Sequence, residues 1–344
     1  MPRRQIFTIQ YYRAIAAGLV VIWHTGDLGS MFGNRMPMLY GFMMITGFLT
    51  FQSHPRGDEH PIDYVGKRMI RLAPVYWIAT GLVLLKARIM PSAHGDMSLS
   101  HIVNSLLFIP DFNARHEMFP VLVPGWYLFY DVWLTILLGT MLKLSFGLRR
   151  AVTQALLIAL LACGIIFHPQ DPLGFRATDQ ILSAMLAGMV LHRVLSAWRP
   201  PRWQAAIMAL AGFALYWLPY DLRFAADWPI LVTGLPTLVM IGGVIAFDQA
   251  GDKPIRWLVW LGDASMSIYI WHLAGILIVG LVLAKLSIHG VAVVDTLEAM
   301  GGIALGAVLY PSLERPLTRY LLARFTAARQ SRAARTIAAS KSAT

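Results

Sequence analysis

FTIQYYRAIAAGLVVIWHT, residues Phe7 to Thr25, is apolar enough to lie in a lipid bilayer, yet it carries Arg13 and His24. An ionisable group inside such a segment is costly, and it usually faces a protein interior, a cavity or a ligand path. The two residues stand eleven positions apart. In an α-helix that is about three turns and ~16 Å of rise, so both project from nearly the same face at different depths. The pair reads first as a functional site, although a lone membrane histidine also serves to hydrogen-bond one helix to another. Arg13 interrupts the apolar region and no small-residue cleavage pattern follows, so the segment reads as a retained membrane helix and not a signal peptide.

Composition extends that reading to the whole chain. The 344 residues are 57% hydrophobic and 14% charged, with a mean hydropathy of +0.58, too apolar and too poor in charge for a soluble domain of this length. Counting runs of roughly 17 to 25 apolar residues gives an all-α polytopic membrane protein with about ten transmembrane helices. They lie near Phe7 to Thr25, Pro37 to Gln52, Pro74 to Leu85, Leu122 to Lys143, Ala151 to Phe167, Gln180 to Val194, Trp203 to Leu218, Trp228 to Phe247, Met266 to Lys285 and Val291 to Pro311. The third is expected to start further back and take in Arg68 and Arg71. The single cysteine, Cys163, excludes a disulfide framework within the chain.

Charge sets the expected orientation. Arg3 and Arg4, Arg56 with Lys67 and Arg68, Lys143 with Arg149 and Arg150, Arg193 with Arg199 and Arg202, and Lys253 with Arg256 make every second connection basic. The positive-inside rule then puts both termini in the cytoplasm. The intervening connections, around Gly26 to Met36, His168 to Thr178, Tyr220 to Asp227 and Ser287 to Gly290, carry few positive charges. Residues 1–313 read as a transmembrane domain and 314–344 as a basic cytoplasmic tail, with a short surface helix over Leu317 to Phe325 and disorder beyond it. The net charge of +11 is dispersed through loops and tail, which suits anionic membrane lipids and excludes a nucleic-acid partner.

Two constellations outside the first helix carry chemistry. Arg68 and Arg71, three apart with Pro74 following, would point to one side of a helix at the cytoplasmic boundary. Guanidinium groups suit bidentate binding of phosphate; ordinary topological anchoring is the alternative, and Arg13 on a neighbouring helix tips the balance toward a polyanion site. The longest external segment, Lys86 to Val121, holds His94, Asp96, His101, Asp111, His116 and Glu117 around the apolar patch Ile102 to Ile109. That patch is too short to span and reads as an interfacial or re-entrant helix, either a structural cap or a lid over an acceptor. Its histidines lack metal-ligand spacing, so no metal is expected.

The residues then match a family. Ile9 to Ala17, reading IQYYRAIAA and leading to His24, closely resembles the opening of acyltransferase-3 membrane proteins, particularly their exopolysaccharide O-acetyltransferase branch. GFMMITGFL at Gly41 to Leu49, RMIRLAPVYW at Arg68 to Trp77, GWYLFYD at Gly125 to Asp131, LGDASMSIYIWH at Leu261 to His272, and Glu314-Arg315-Pro316 resemble later family segments in the expected order. Tyr127 stands where the family usually has serine, and Asp131 where it has glutamate.

The resemblance implies transfer of an acyl group, usually acetyl, from cytoplasmic acyl-CoA to a hydroxyl of a cell-surface glycan or its lipid-linked precursor. The setting would be a bacterial inner membrane, with polysaccharide assembly proteins as further partners. Within it Arg13, Arg68 and Arg71 are expected to bind CoA phosphates. His24 serves as general base or, alternatively, as an acyl-carrying nucleophile. Asp131 either orients His24 or pairs with an arginine. Trp126 and His272 are packing and hydrogen-bonding residues with a share in substrate binding. Asp295 and Glu298 share a helix face and are candidate cavity residues. The resemblance also leads to the expectation that no hydrolase-like external domain follows the spans. The competing reading is a secondary transporter or flippase for a polar or lipid-linked sugar, against which stands the lack of paired inverted halves.

Overall fold

A computed structural model describes residues 5–30, 37–52, 59–89, 98–216, 230–249 and 251–342, with side chains throughout except at 28, 30, 37 and 332–342. Among the sequence features named above, Arg3, Arg4, Arg56, His94, Asp96 and the segment Tyr220 to Asp227 lie outside the described residues. The described residues form an all-α structure without strands.

In chain order the helices are α1 (Phe7–Trp23), α2 (Gly26–Ser30), α3 (Pro37–Gln52), α4 (Pro61–Ile89), α5 (Leu99–Leu106), α6 (Gly125–Thr140), α7 (Phe146–Phe167), α8 (Pro172–Ala177), α9 (Leu182–Ala197) and α10 (Arg202–Tyr216). They continue with a π turn (Ile230–Gly234), α11 (Leu235–Phe247), α12 (Arg256–Asp263), α13 (Ser265–Lys285), α14 (Val291–Leu309), a second π turn (Tyr310–Glu314) and α15 (Arg315–Ser342). Among the described residues, each of the ten apolar segments contains helix. Six stretches of the described residues are long and apolar enough to cross a membrane: Pro61–Ile89, Phe146–Phe167, Pro172–Ala197, Ile230–Phe247, Ser265–Lys285 and Val291–Ser331. α1 and Met38–Gln52 are apolar but shorter. The 17 residues of α1 rise only ~26 Å, just under a ~30 Å hydrocarbon core.

Helices that share no hydrophobic driving force in lipid associate through close backbone approach. A side chain at Gly47 of α3 would strike the backbone at Met185 of α9, and one at Gly188 of α9 would strike the backbone at Met44 of α3. The two glycines let these helices pack backbone to backbone. The main core gathers side chains from α1, α3, α4, α6, α9 and α13, including Tyr12, Met43, Tyr76, Tyr130, Met185 and Ile270.

α1 is fixed at its start from the far end of the chain. Its N-cap residue, Ile6, has no capping side chain. The orphan amides are satisfied instead by the buried Asp248, whose Oδ2 accepts from the Phe7 amide at 2.6 Å and the Thr8 amide at 3.3 Å. Arg199 holds the backbone of that same loop, donating to the carbonyls of Ile245 and Asp248. Tyr11 Oη accepts from the Ile255 amide at 2.7 Å.

α4 begins at Pro61 and so includes Arg68 and Arg71, as the sequence reading expected. α5 lies against it: Tyr76 donates to the Ser105 carbonyl at 3.0 Å and Trp77 to the Leu106 carbonyl at 2.9 Å. The tail departs from expectation. In place of a short helix over Leu317 to Phe325, the backbone is helical from Arg315 to Ser342, continuing α14 through the second π turn. It is tied to α4 by Arg329, which contacts both Asp63 carboxylate oxygens, and by the Phe325 ring packed on Gly66.

Candidate active site

α1 connects two chemically different places. Near its start, Arg13 lines a cavity of about 610 Å³ together with Arg68 and Arg71 of α4, Arg315 and Arg319 of α15, Asp131 of α6, Asp263 of α12 and Glu314 of the second π turn. Five arginines face three carboxylates there, a formal excess of two positive charges. Arg13 is half-buried, whereas Arg68, Arg71, Arg315 and Arg319 are exposed. Arg13 donates to Gln10 Oε1 at 3.4 Å, and Asp263, Asp131 and Glu314 are the carboxylates within electrostatic reach of its guanidinium. Asp131 in turn faces Arg68 and Arg13. Such a mixed but net basic cleft suits a polyanion that brings its own charge to the excess guanidinium groups.

A smaller cavity of about 210 Å³ shares Arg13, Thr46, Leu49, Asp131 and Met266 with the first, and reaches inward to Phe42, Tyr127, Ser265 and Tyr269. Tyr127, at the position that departs from the family pattern, packs edge-on against Tyr269 with centroids 6.2 Å apart. Tyr269 donates to the Pro124 carbonyl at 2.8 Å, which fixes the start of α6 against α13. One helical turn beyond Tyr269 on α13 comes His272.

His24 lies at the other end of α1, one residue past its last helical position, as the C-cap. Its Nδ1 is 2.9 Å from the Val20 carbonyl and 3.3 Å from Nε2 of His272. The two imidazoles have centroids 4.7 Å apart, and Trp23 packs edge-on against His24 at 4.7 Å. His272 has no exposed surface. Asp295 of α14 is also buried, and a side chain at Gly26 would meet its carboxylate, which places it beside the turn that follows His24.

The structure therefore brings Arg13, Arg68, Arg71 and Asp131 to one cavity, and His24 and His272 to one contact. Asp131 is grouped with the arginines and is not among the residues that touch His24. Trp126 joins neither group. It stacks under the Arg176 guanidinium at 4.8 Å, in a cluster where Arg176 donates to the Met118 carbonyl and pairs with Asp179, which accepts from Tyr130 at 2.6 Å. This cluster lies with His101, Ser105 and Asp111 of the segment between α4 and α6. Among the described residues no group of three or more His, Cys, Asp or Glu is placed to hold a metal ion.

Sequence reasoning missed Arg315, Arg319, Asp263 and Glu314 as cavity residues. Glu314-Arg315 stands out as a motif but is grouped with the tail; the continuation of α14 into α15 is what sets both residues at the cavity wall.

Comparison with known proteins follows the same lines. The family model described as an acyltransferase domain matches residues 6–311. The chain is 31% identical over 289 residues to the exopolysaccharide production protein ExoZ of Rhizobium meliloti (strain 1021), covering 81% of this chain and 88% of that protein. It is 26% identical over 342 residues to BcsY of Komagataeibacter xylinus, named as a membrane-bound transacylase, covering 88% and 81%. No solved structure matches. Matched across nearly its whole length, the chain belongs to the acyltransferase-3 family of integral membrane proteins.

Proposed function

We propose that the protein is an O-acyltransferase that moves an acyl group, acetyl as the family resemblance implies, from cytoplasmic acyl-CoA to a hydroxyl of an exported or cell-surface glycan or its lipid-linked precursor. The observation that carries this reading is the arginine-lined cavity at one end of α1, with the half-buried His24 at the other. CoA has several phosphates on one end of a long thin arm and the reacting thioester on the other. Arg13, Arg68 and Arg71, joined by Arg315 and Arg319, hold the phosphates. The inner cavity takes the arm as far as Tyr127 and Tyr269, one helical turn before the His272 that touches His24. The glycan acceptor draws support from the name of the ExoZ relative, an exopolysaccharide production protein.

His24 acts as general base. The acceptor hydroxyl gives its proton to the imidazole while its oxygen attacks the thioester carbonyl carbon, the C–S bond breaks, and the departing thiolate takes the proton back from the imidazolium. Asp131 balances Arg13 within the cavity. The proposed topology has ten spans over residues 1–313, a basic tail over 314–344, and both termini on the cytoplasmic side of a bacterial inner membrane, which puts the arginine cavity where acyl-CoA is made.

Purified protein given labelled acetyl-CoA and a glycan acceptor tests the reading. Acceptor-dependent release of CoA, and thermal stabilisation by CoA alone, are expected from a transferase. A transporter or flippase shows neither. Loss of one ester signal from the surface glycans of a deletion strain, compared with its parent, would name the acyl group and the hydroxyl together.

A further inference from the structure

The hydrogen bonds around the two histidines define their protonation. Nδ1 of His272 lies 2.7 Å from the Tyr269 carbonyl. A carbonyl oxygen has no proton to give, so this Nδ1 carries one, and neutral His272 presents a lone pair at Nε2. That Nε2 lies 3.3 Å from Nδ1 of His24. The same His24 Nδ1 is 2.9 Å from the Val20 carbonyl, so it too carries its proton and shares it between two acceptors. The chain of donors runs one way, from His24 through His272 to the Tyr269 carbonyl. Its end is a lone pair on His24 Nε2.

We propose that His272 is the positioning residue of the site: it fixes the ring plane of His24, whose tautomer the Val20 carbonyl sets, so that Nε2 faces the acceptor hydroxyl as a base. It performs with a neutral imidazole the orienting task that a carboxylate performs in hydrolytic triads. This rests on the reading of His24 as the base. The Val20 carbonyl belongs to the helix that carries His24 and moves with it. His272 belongs to α13 and ties the ring to a second element. His272 is itself enclosed, having no exposed surface, and α14 closes over it at Gly302, where a side chain would press on Val21 and on His272. A carboxylate in so enclosed a position would carry a heavy desolvation cost, which a neutral acceptor avoids. During transfer the acceptor proton enters and leaves at His24 Nε2, Nδ1–H stays held by both acceptors, and His272 keeps its own proton.

The test compares His272→Phe, which keeps a ring but removes the acceptor, with His272→Gln, which restores an acceptor oxygen. Wild type and His24→Ala are measured beside them in purified, monodisperse form. Misplacement of a reacting group by about 1 Å costs on the order of 100-fold, so kcat of His272→Phe is expected to fall by about that factor. The KM for acetyl-CoA should stay within about twofold, because the arginine cavity is untouched, and His272→Gln should recover about tenfold or more of the lost kcat. If the Phe variant fails to insert, His272→Leu takes its place against Gln. Undiminished kcat in the acceptor-less variant overturns the proposal, as does an equal loss in Gln and Phe or Leu, the outcome of a purely structural role. Wild type that releases no CoA, or an active His24→Ala protein, overturns the general-base reading and this inference with it; an inactive His24→Ala beside a fully active His272→Phe overturns this inference alone.

Discussion

The arginine cavity, which meets α1 at Arg13, and the histidine pair at its C-terminal end are built in opposite ways. At the cavity, charge is abundant, several side chains are exposed, and cations and anions are mixed with a small positive excess. At the histidines two imidazoles and two main-chain carbonyls share protons in a fixed direction. Binding a polyanion rewards many adaptable charges, each screened by solvent and individually modest. Moving one proton rewards a single atom held at one orientation. The two ends should accordingly fail in different kinetic parameters.

The largest effect is expected at the histidine end. His24→Ala should lower kcat by about 10²- to 10⁴-fold, the usual contribution of a general base, while CoA still stabilises the protein in a thermal-shift measurement. Loss of CoA binding in that variant would break the division between the two ends. Next comes the cavity: Arg68→Ala combined with Arg71→Ala should raise the KM for acyl-CoA by roughly tenfold or more, since bonds to charged groups contribute about 1.5–3 kcal/mol before solvent screening reduces them. The effect should shrink as ionic strength rises, and an unchanged KM removes these arginines from the donor site.

Asp131→Asn separates the two roles open to that residue. If Asp131 only balances Arg13, kcat should change by no more than about threefold, a cost of about 0.7 kcal/mol. A fall of about 100-fold would instead attach it to the catalytic end. The smallest effect is expected for Trp126→Ala. Its stacking partner is Arg176, outside the arginine cavity, so the KM for acyl-CoA should not move, and the loss should be limited to a cation–π contribution of about 0.5–2 kcal/mol in stability. A raised donor KM in this variant would extend the donor site to the Arg176 cluster.

The features legible in the sequence were those carried by short-range patterns. Apolar runs located helix in each of the ten segments, and the three-residue spacing of Arg68 and Arg71 put both on one side of α4, where they share a cavity with Arg13. What sequence periodicity does not encode is contact between distant elements. His24 and His272 are 248 positions apart, and the Asp248 that caps α1 is separated from Phe7 by 241. Arg315 and Arg319 were read as tail charges because a basic stretch after the final span ordinarily serves topology. Only the unbroken passage from α14 into α15 brings them to the cavity. The close packing of α3 on α9 depends on two single glycines, Gly47 and Gly188, that no repeating motif announces.

The attachment of the last helix has a practical side. Arg315 and Arg319 form part of the cavity wall, and Arg329 is clamped to Asp63 a little further along the same helix. An affinity handle or fluorescent protein fused beyond the C-terminus is therefore attached to a helix that lines the proposed donor site. A small dye on the exposed Tyr320 side of α15 would turn that liability into a gauge, reading donor arrival as a change in emission.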